Sequence, residues 1–443
     1  MAPGHVVVVG AGLAGLSAAV ELKRAGCSVE IVERSRLLGG KATSFVLDGV
    51  EVDNGQHVFL ACCTEFIDFV GSIEVPGNAP LLHVQDRFDA ALRARGRHPS
   101  RLRAVSLPAP LHLAPALLRY QYLRPVERLA VARALLAAMR ETRSGPPPGS
   151  QHESFASWLS RHGQSEGSRR AFWNPFFVPA LNAPLEEVSA ESALFVIRMA
   201  FLQDAAAARF GFATVPLARI AEAAAKCADS VHLRTAAVGL RVSGTSSAVE
   251  EVLLDDGRRL RCDGVVLAVP PDRLSRILGD AQAFGVGGLE LIRTAAIVDV
   301  HLWYECAELG FGFVALLDSP VQWVFEKGPG YLCCSLSAAD RHVGTANGEL
   351  VELCHSELTA ALPELAGVTL RRGAATRDRD ATFVPAPGLI RPGPATARPE
   401  VVLAGAWTDT GWPATMESAV RSGRQAARLL LAGVHEREEA PAG

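Results

Sequence analysis

The apolar run Val6–Val9 turns at once into Gly10-Ala11-Gly12-Leu13-Ala14-Gly15, and the next apolar run, Val29-Glu30-Ile31-Val32, is closed by Glu33. A strand, a glycine turn, a helix and a second strand ending in an acid suit one arrangement, the βαβ unit of a Rossmann-like parallel sheet, and so an α/β fold. Gly10 permits the tight turn, Gly12 lets the backbone approach a pyrophosphate, and Gly15 lets the helix pack against the strand. The helix opening at Leu13 and Ala14 aims its free N–H groups and positive dipole end at the phosphates. Glu33 is placed to accept hydrogen bonds from a ribose diol, and its charge repels a 2′-phosphate. These residues predict a dinucleotide site.

The 443 residues, 49% hydrophobic and 21% charged, describe a globular chain of two or three domains. A net charge of -3 provides no global positive field for nucleic acid. The nine cysteines include the adjacent pairs Cys62-Cys63 and Cys333-Cys334 but no C-x-x-C. That pattern suits neither disulfides nor a metal site, and predicts buried small apolar residues in a reducing cytoplasm. The apolar N-terminus lacks the charged start of an export signal, and no run of about 18 apolar residues predicts a spanning helix.

Farther along, Thr43 to Val52 reads as a hairpin around Asp48-Gly49, leading into the polar knot Asp53-Asn54-Gly55-Gln56-His57, which is either a tight turn or a site. From Arg87 to Arg143 twelve arginines face three acids, a local charge of +9. Within it Val126 to Met139 reads as an amphipathic helix with Leu129, Ala132, Leu136 and Met139 on one face. This region is either a solvated arginine face over a helical subdomain or a surface that docks on anionic lipid at the inner face of the cell membrane. Residues 154–227 read as mostly helical, and Phe172-Trp173-Asn174-Pro175-Phe176-Phe177 there either fills a core or lines an apolar channel. Short strands follow at 231–242, 249–254, 258–262 and 264–269, then at 294–304, 311–325 and 331–336, with a helix at 349–362. The expected layout is a discontinuous cofactor domain (1–85, 205–275 and 395–433, a parallel sheet with a β-meander), an interleaved α+β substrate domain (86–204 and 276–394) and a disordered tail at 434–443.

The last strand, Val401 to Gly405, runs through Trp407-Thr408-Asp409-Thr410-Gly411-Trp412-Pro413 into a helix from Thr415 to Ala432. A helix N-terminus at Met416 suits negative charge on the N1/O2 edge of a reduced flavin. The design this predicts is FAD stretched between the two ends of the chain, phosphates at Gly10–Gly15 and isoalloxazine near Met416.

The motif from Gly10 to Leu22, with Glu33-Arg34 and Leu38-Gly39-Gly40-Lys41, resembles the flavin-containing amine oxidase and phytoene desaturase superfamily. Asp53 to His57 and Trp407 to Glu417 resemble its hydroxysqualene dehydroxylase branch, the squalene-associated FAD-dependent desaturases of bacterial hopanoid synthesis. Phe172 to Pro175, Leu181-Asn182 and Val298 to Trp303 fit the same branch, so the resemblance runs almost end to end. It implies non-covalent FAD, since no cysteine falls in the flavin motifs. The contacts it implies are Gly10, Gly12, Leu13, Ala14, Gly15, Glu33, Arg34, Gly39, Gly40, Lys41, Gly55, Gln56, Val238, Gly405 and Met416. Two positions depart from the family: Lys41 stands where arginine is usual, and Ala406 where an acid is usual, a loss of roughly 1.5–3 kcal/mol of charged hydrogen bonding.

The implied reaction removes the allylic hydroxyl of hydroxysqualene, a long-chain isoprenoid, replaces it with hydride and gives squalene; upstream squalene-pathway enzymes are implied partners. It requires an acid for the leaving hydroxyl and dry apolar walls around a carbocation. His57 and Asp409 are the candidate acids; each also reads as structural, His57 as a hydrogen-bonded residue under the cofactor and Asp409 as a cap of the C-terminal loop. Competing readings are a carotenoid desaturase running hydride transfer the other way, a flavin amine oxidase, and a non-catalytic flavin- or lipid-binding subunit.

Overall fold

The computed structural model describes residues 4–47, 49–73, 80–243 and 249–439, with side chains through 433. Asp48 of the expected hairpin turn lies outside them; the flanking strands Ser44–Leu47 and Val50–Asp53 pair antiparallel.

Five parallel strands form one sheet in the order Ser230–Leu233, Ser28–Glu33, His5–Val9, Gly264–Leu267 and Val401–Leu403. Both faces are covered, so His5–Val9, Gly264–Leu267 and Val401–Leu403 are nearly continuous apolar runs rather than alternating ones, while Glu30 and His232 pair between the two strands at one edge. Val6, Val8, Ile31, Val266 and Val402 point into one core with helices Leu13–Arg24, Leu217–Ala225 and Met416–Glu439. Val7, Val9, Val265, Leu267 and Leu403 point into another, closed by the meander Ala237–Val242, Val249–Leu254, Arg259–Arg261 and by helix Pro271–Leu278.

The two ends of the chain are stitched together. The C-terminal helix crosses the first helix so closely that a Cβ on Gly423 would stand 2.0 Å from the Ala14 carbonyl oxygen. Ser17 Oγ donates to the Val420 carbonyl at 3.1 Å. Glu417 is fully buried; its Oε2 accepts the Phe66 N–H at 2.8 Å and so caps helix Thr64–Gly71.

A seven-stranded mixed sheet runs Leu370–Phe383, Thr294–Tyr304, Tyr331–Leu336, Trp323–Gly328, Phe313–Leu316, Asp89–Arg93 and Ser100–Arg103. Its period of two sorts side chains cleanly. Val298, Val300 and Leu302 face helix Asn347–Ala361 on one side. Trp323, Phe325 and Cys333 face the opposite way, into a core shared with the helices of residues 114–202.

Four expectations are corrected. Residues 311–325 form two strands, and so do 231–242, each interrupted by a turn. The fourteen-residue strand Leu370–Phe383 and the helix Pro271–Leu278 were not expected. The C-terminal helix runs Met416–Glu439, beyond the Ala432 read from the sequence, and 440–443 lie outside the described residues. The helix read at 126–139 spans Pro125–Glu141, and its buried face is Glu127, Val131, Ala134 and Ala138. Leu129 and Leu136 are exposed and Ala132 and Met139 half-buried, so the apolar face read from the sequence is not the one against the core.

Candidate active site

The glycine turn builds a cradle. Gly10 sits at φ +105° and Gly15 packs so that a Cβ would stand 1.9 Å from the Gly10 carbonyl oxygen, which fixes how closely helix and strand approach. Gly12 differs: a Cβ there meets nothing within 4 Å. Gly39 donates its N–H to the Ala11 carbonyl at 2.8 Å, and a Cβ on Gly40 would come within 3.1 Å of the Gly12 Cα. The Gly39-Gly40 segment thus packs against the turn, open space remains at Gly12, and no side chain caps the helix that begins at Leu13. Open space and uncapped N–H groups are what a pyrophosphate needs, so these residues fit a dinucleotide. Glu33 is buried; its Oε2 accepts the Ala11 N–H at 2.8 Å and its Oε1 the Ser35 N–H at 2.7 Å, which locks the turn and leaves lone pairs for hydroxyl donors. Arg34 is exposed, Lys41 reaches Asp378 at 3.7 Å, and Val238 stands half exposed at a bulge in the meander.

At the other end, a Cβ on Gly405 would stand 2.3 Å from Trp407 Nε1. Thr415 Oγ1 accepts the Ser418 N–H at 3.1 Å and so opens the Met416–Glu439 helix. Ala406 is half-buried, its carbonyl taken by Ser418 Oγ. Asp409 is 61% exposed, ion-paired to Arg391 at 3.3 Å and bonded to the Gly411 N–H. These contacts tie down the loop; none reaches the polar knot.

That knot lies on the seven-stranded sheet. Asp53 Oδ1 accepts from Ser44 Oγ at 2.7 Å and from the Leu217 N–H at 3.1 Å, while its Oδ2 faces Lys327 Nζ at 3.4 Å. Lys327 Nζ donates to Gln56 Oε1 at 2.9 Å. His57 Nδ1 donates to the Gly55 carbonyl at 3.2 Å, and burial pushes its pKa down, so the ring is neutral with Nε2 as a bare acceptor. Gly55, at φ +85°, lies so close to Asp299 that a Cβ would stand 2.7 Å from Oδ2. Asp299 is buried, and burial raises its pKa to about 6 against the opposing pull of the Ser335 hydroxyl and the Gln56 N–H. His301, also buried, bonds Tyr331 Oη through Nδ1 at 2.8 Å and is held neutral by burial, its pKa lowered to about 4.

An apolar cavity of about 210 Å³ lies between Phe88 and Leu102 and the helical segments of residues 110–202. Phe88, Phe172, Phe176 and Phe201 line it together with Leu111, Leu135 and Leu136. Two of its lining segments, Arg169–Trp173 and Arg198–Leu202, are widened π-helical turns, a distortion frequent at functional sites. From the cavity the aromatic contacts continue along the sheet, Phe88 to Phe176 at 6.3 Å and Phe176 to Trp323 at 6.1 Å. Trp323 and Phe325 alternate on one face of a strand that goes on to Lys327, at a bulge between Glu326 and Gly328, so one strand carries both the aromatic surface and the ammonium.

The structure therefore brings together Gly55, Gln56 and His57, and separately Gly10 to Gly15 with Gly39 and Gly40. Asp299, His301, Lys327 and Tyr331 were missed from sequence. The available signal was Asp299 and His301 alternating with Val298, Val300 and Leu302, which are fully buried.

The chain matches the family described as flavin containing amine oxidoreductase over residues 13–431. It is 30% identical to a hydroxysqualene dehydroxylase of Rhodopseudomonas palustris, covering 96% of this chain and 98% of that one. It is 24% identical to a zeta-carotene desaturase of Arabidopsis thaliana, over 96% and 85% respectively. Among solved structures it is similar in fold to cyclohexylamine oxidase of Brevibacterium oxydans, with a TM-score of 0.70, 19% identity, and 98% and 99% of the two chains covered. With a cradle that fits a dinucleotide and a family match across nearly its whole length, the chain belongs to the flavin-containing amine oxidoreductases and is an FAD-dependent oxidoreductase, with hydroxysqualene dehydroxylases among its relatives.

Proposed function

We propose that the protein removes the allylic hydroxyl of hydroxysqualene reductively to give squalene, with FAD held non-covalently. One observation supports the reading: an apolar, aromatic-lined cavity is joined through the Phe176–Trp323 ring contact to the strand that carries the ammonium of Lys327. A long hydrocarbon with one polar atom matches that division. Bound reduced FAD supplies the hydride for the carbon that loses its hydroxyl.

The protein's own residues do the rest. Gly10, Gly12, Leu13, Ala14, Gly15, Gly39 and Gly40 would hold the pyrophosphate, with Glu33 at the ribose and Arg34, Lys41 and Val238 as further contacts. Gly55, Gln56, Gly405 and Met416 would border the flavin, and the helix dipole at Met416 would favour negative charge there. Lys327, oriented by Asp53 and Gln56, gives its proton to the departing hydroxyl, which leaves as water. Neutral His57 accepts a hydrogen bond at Nε2 and orients that hydroxyl; Asp409 holds the C-terminal loop. The apolar walls keep water from the allylic cation. The substrate class places the protein at a membrane surface on the cytoplasmic side, in sequence with the enzymes that supply its isoprenoid; among the described residues no helix is long and apolar enough to span a bilayer.

The test is anaerobic incubation of the chemically reduced holoenzyme with hydroxysqualene. Squalene formed in step with flavin reoxidation supports the reading. No turnover, together with oxidation of a polyene such as zeta-carotene by the oxidised enzyme, overturns it in favour of desaturation.

A further inference from the structure

Thirteen large apolar side chains are exposed among the described residues, and seven of them fall between Val105 and Leu136. Their placement on helix Pro125–Glu141 is ordered. Val126, Leu129, Arg133, Leu136 and Arg140 recur at three- and four-residue spacing and form one outward stripe, while Glu127, Val131, Ala134 and Ala138 hold the inward one. An outward stripe of leucines and arginines is poorly matched to water alone. It matches an interface in which apolar side chains enter the acyl boundary and guanidinium groups meet anionic headgroups.

Two further features sharpen the match. Arg128 is not one of the outward arginines: its guanidinium donates to the Leu118 carbonyl and, at 3.0 Å, to the Leu123 carbonyl. It thereby ties the short helix Ala114–Arg119 to the long one, so that Leu118, 68% exposed, and Arg119 stand on a helix held beside the stripe. The cavity also opens on this face, since Leu111 and Leu136 both line it and are 56% and 42% exposed.

We propose that this face docks on an anionic lipid bilayer and that the opening between Leu111 and Leu136 is where a lipid-dissolved substrate passes from the bilayer into the cavity. The passage rests on the proposed function; the docking does not. The experiment uses the holoenzyme and vesicles of phosphatidylcholine with about a third phosphatidylglycerol, which supply the negative surface potential. Two variants are compared, Arg119→Gln/Arg133→Gln/Arg140→Gln and Leu118→Glu/Val126→Glu/Leu129→Glu, neither of which touches a cavity-lining residue.

The unsubstituted protein is expected to float with the vesicles and to be released by salt. The arginine variant is expected to lose partitioning by about fivefold per arginine. The glutamate variant is expected to stay in the aqueous phase with its flavin content and melting temperature intact. It should turn over substrate dispersed in detergent micelles at the unsubstituted rate, and vesicle-embedded substrate at less than a tenth of it. Flotation of the glutamate variant equal to the unsubstituted protein overturns the docking; equal turnover of vesicle-embedded substrate overturns the passage. Flotation without micellar turnover by the unsubstituted protein overturns the proposed function and leaves the docking standing.

Discussion

Replacing Asp299 by asparagine tests whether the carboxyl beneath the Gly55–His57 loop is a buried, reluctantly ionised acid. Its pKa is raised to about 6 by burial, against 3.8 for an unburied aspartate. A carboxyl whose folded pKa lies above its unfolded one contributes stability that is fully present below pH 3.8 and is lost as pH rises through about 6. At about 1.36 kcal/mol per unit, the loss is on the order of 3 kcal/mol across that window. In a chain of this length the unfolding entropy converts that to about 3 °C in Tm. Asparagine is near-isosteric with the protonated acid and keeps one acceptor for the Gln56 N–H or the Ser335 hydroxyl, so the two proteins should melt alike near pH 4. From pH 4 to pH 7 the variant should gain steadily on the unsubstituted protein, measured by differential scanning calorimetry at matched flavin content. A difference in Tm independent of pH, or a variant that falls behind as pH rises, would refute the reasoning. The latter would mean that Lys327 and the two hydrogen-bond donors hold Asp299 ionised.

Gly12→Val and Gly15→Val should separate cofactor from fold. Gly12 has φ -74°, open to any residue, and free space around its missing side chain, so its variant should keep the apoprotein Tm and lose bound flavin absorbance by at least tenfold. Gly15→Val must push back the Gly10 carbonyl, and should lower both Tm and flavin content; equal effects at the two positions would contradict the cradle. Ala132→Phe intrudes on the cavity and should raise KM for a long isoprenoid about tenfold while leaving flavin content unchanged, and an unchanged KM would place the substrate elsewhere. Ala406→Asp restores the acid usual in the family; a charged hydrogen bond of about 1.5–3 kcal/mol should tighten FAD at least tenfold, measured by fluorescence titration, and weaker binding would show that the half-buried site has no donor for it.

What could be read from the chain follows the distance over which its signals act. The Gly10–Gly15 turn was legible because strand, turn and helix are contiguous and each residue type answers to a backbone requirement that holds locally. Lys327 was not, since it reaches Asp53 across 274 positions of sequence and only the sheet brings them together. Asp299 and His301 read simply as polar members of a strand; which face of that strand meets the Gly55 loop is decided by tertiary packing. The strand Leu370–Phe383 escaped notice because Arg371, Arg372, Arg377, Asp378, Arg379 and Asp380 break its apolar pattern, and it tolerates them as the sheet's edge strand. Helix Pro125–Glu141 shows the same limit in another form. Periodicity correctly put Leu129 and Leu136 on one face but could not say what that face meets, because a 3.6-residue repeat fixes relative direction only. Small, helix-compatible residues, Ala134 and Ala138, suffice to pack its inner side. The larger side chains are left outward, where their burial requires something other than this chain, and that outward demand beside the cavity opening is what points to the bilayer.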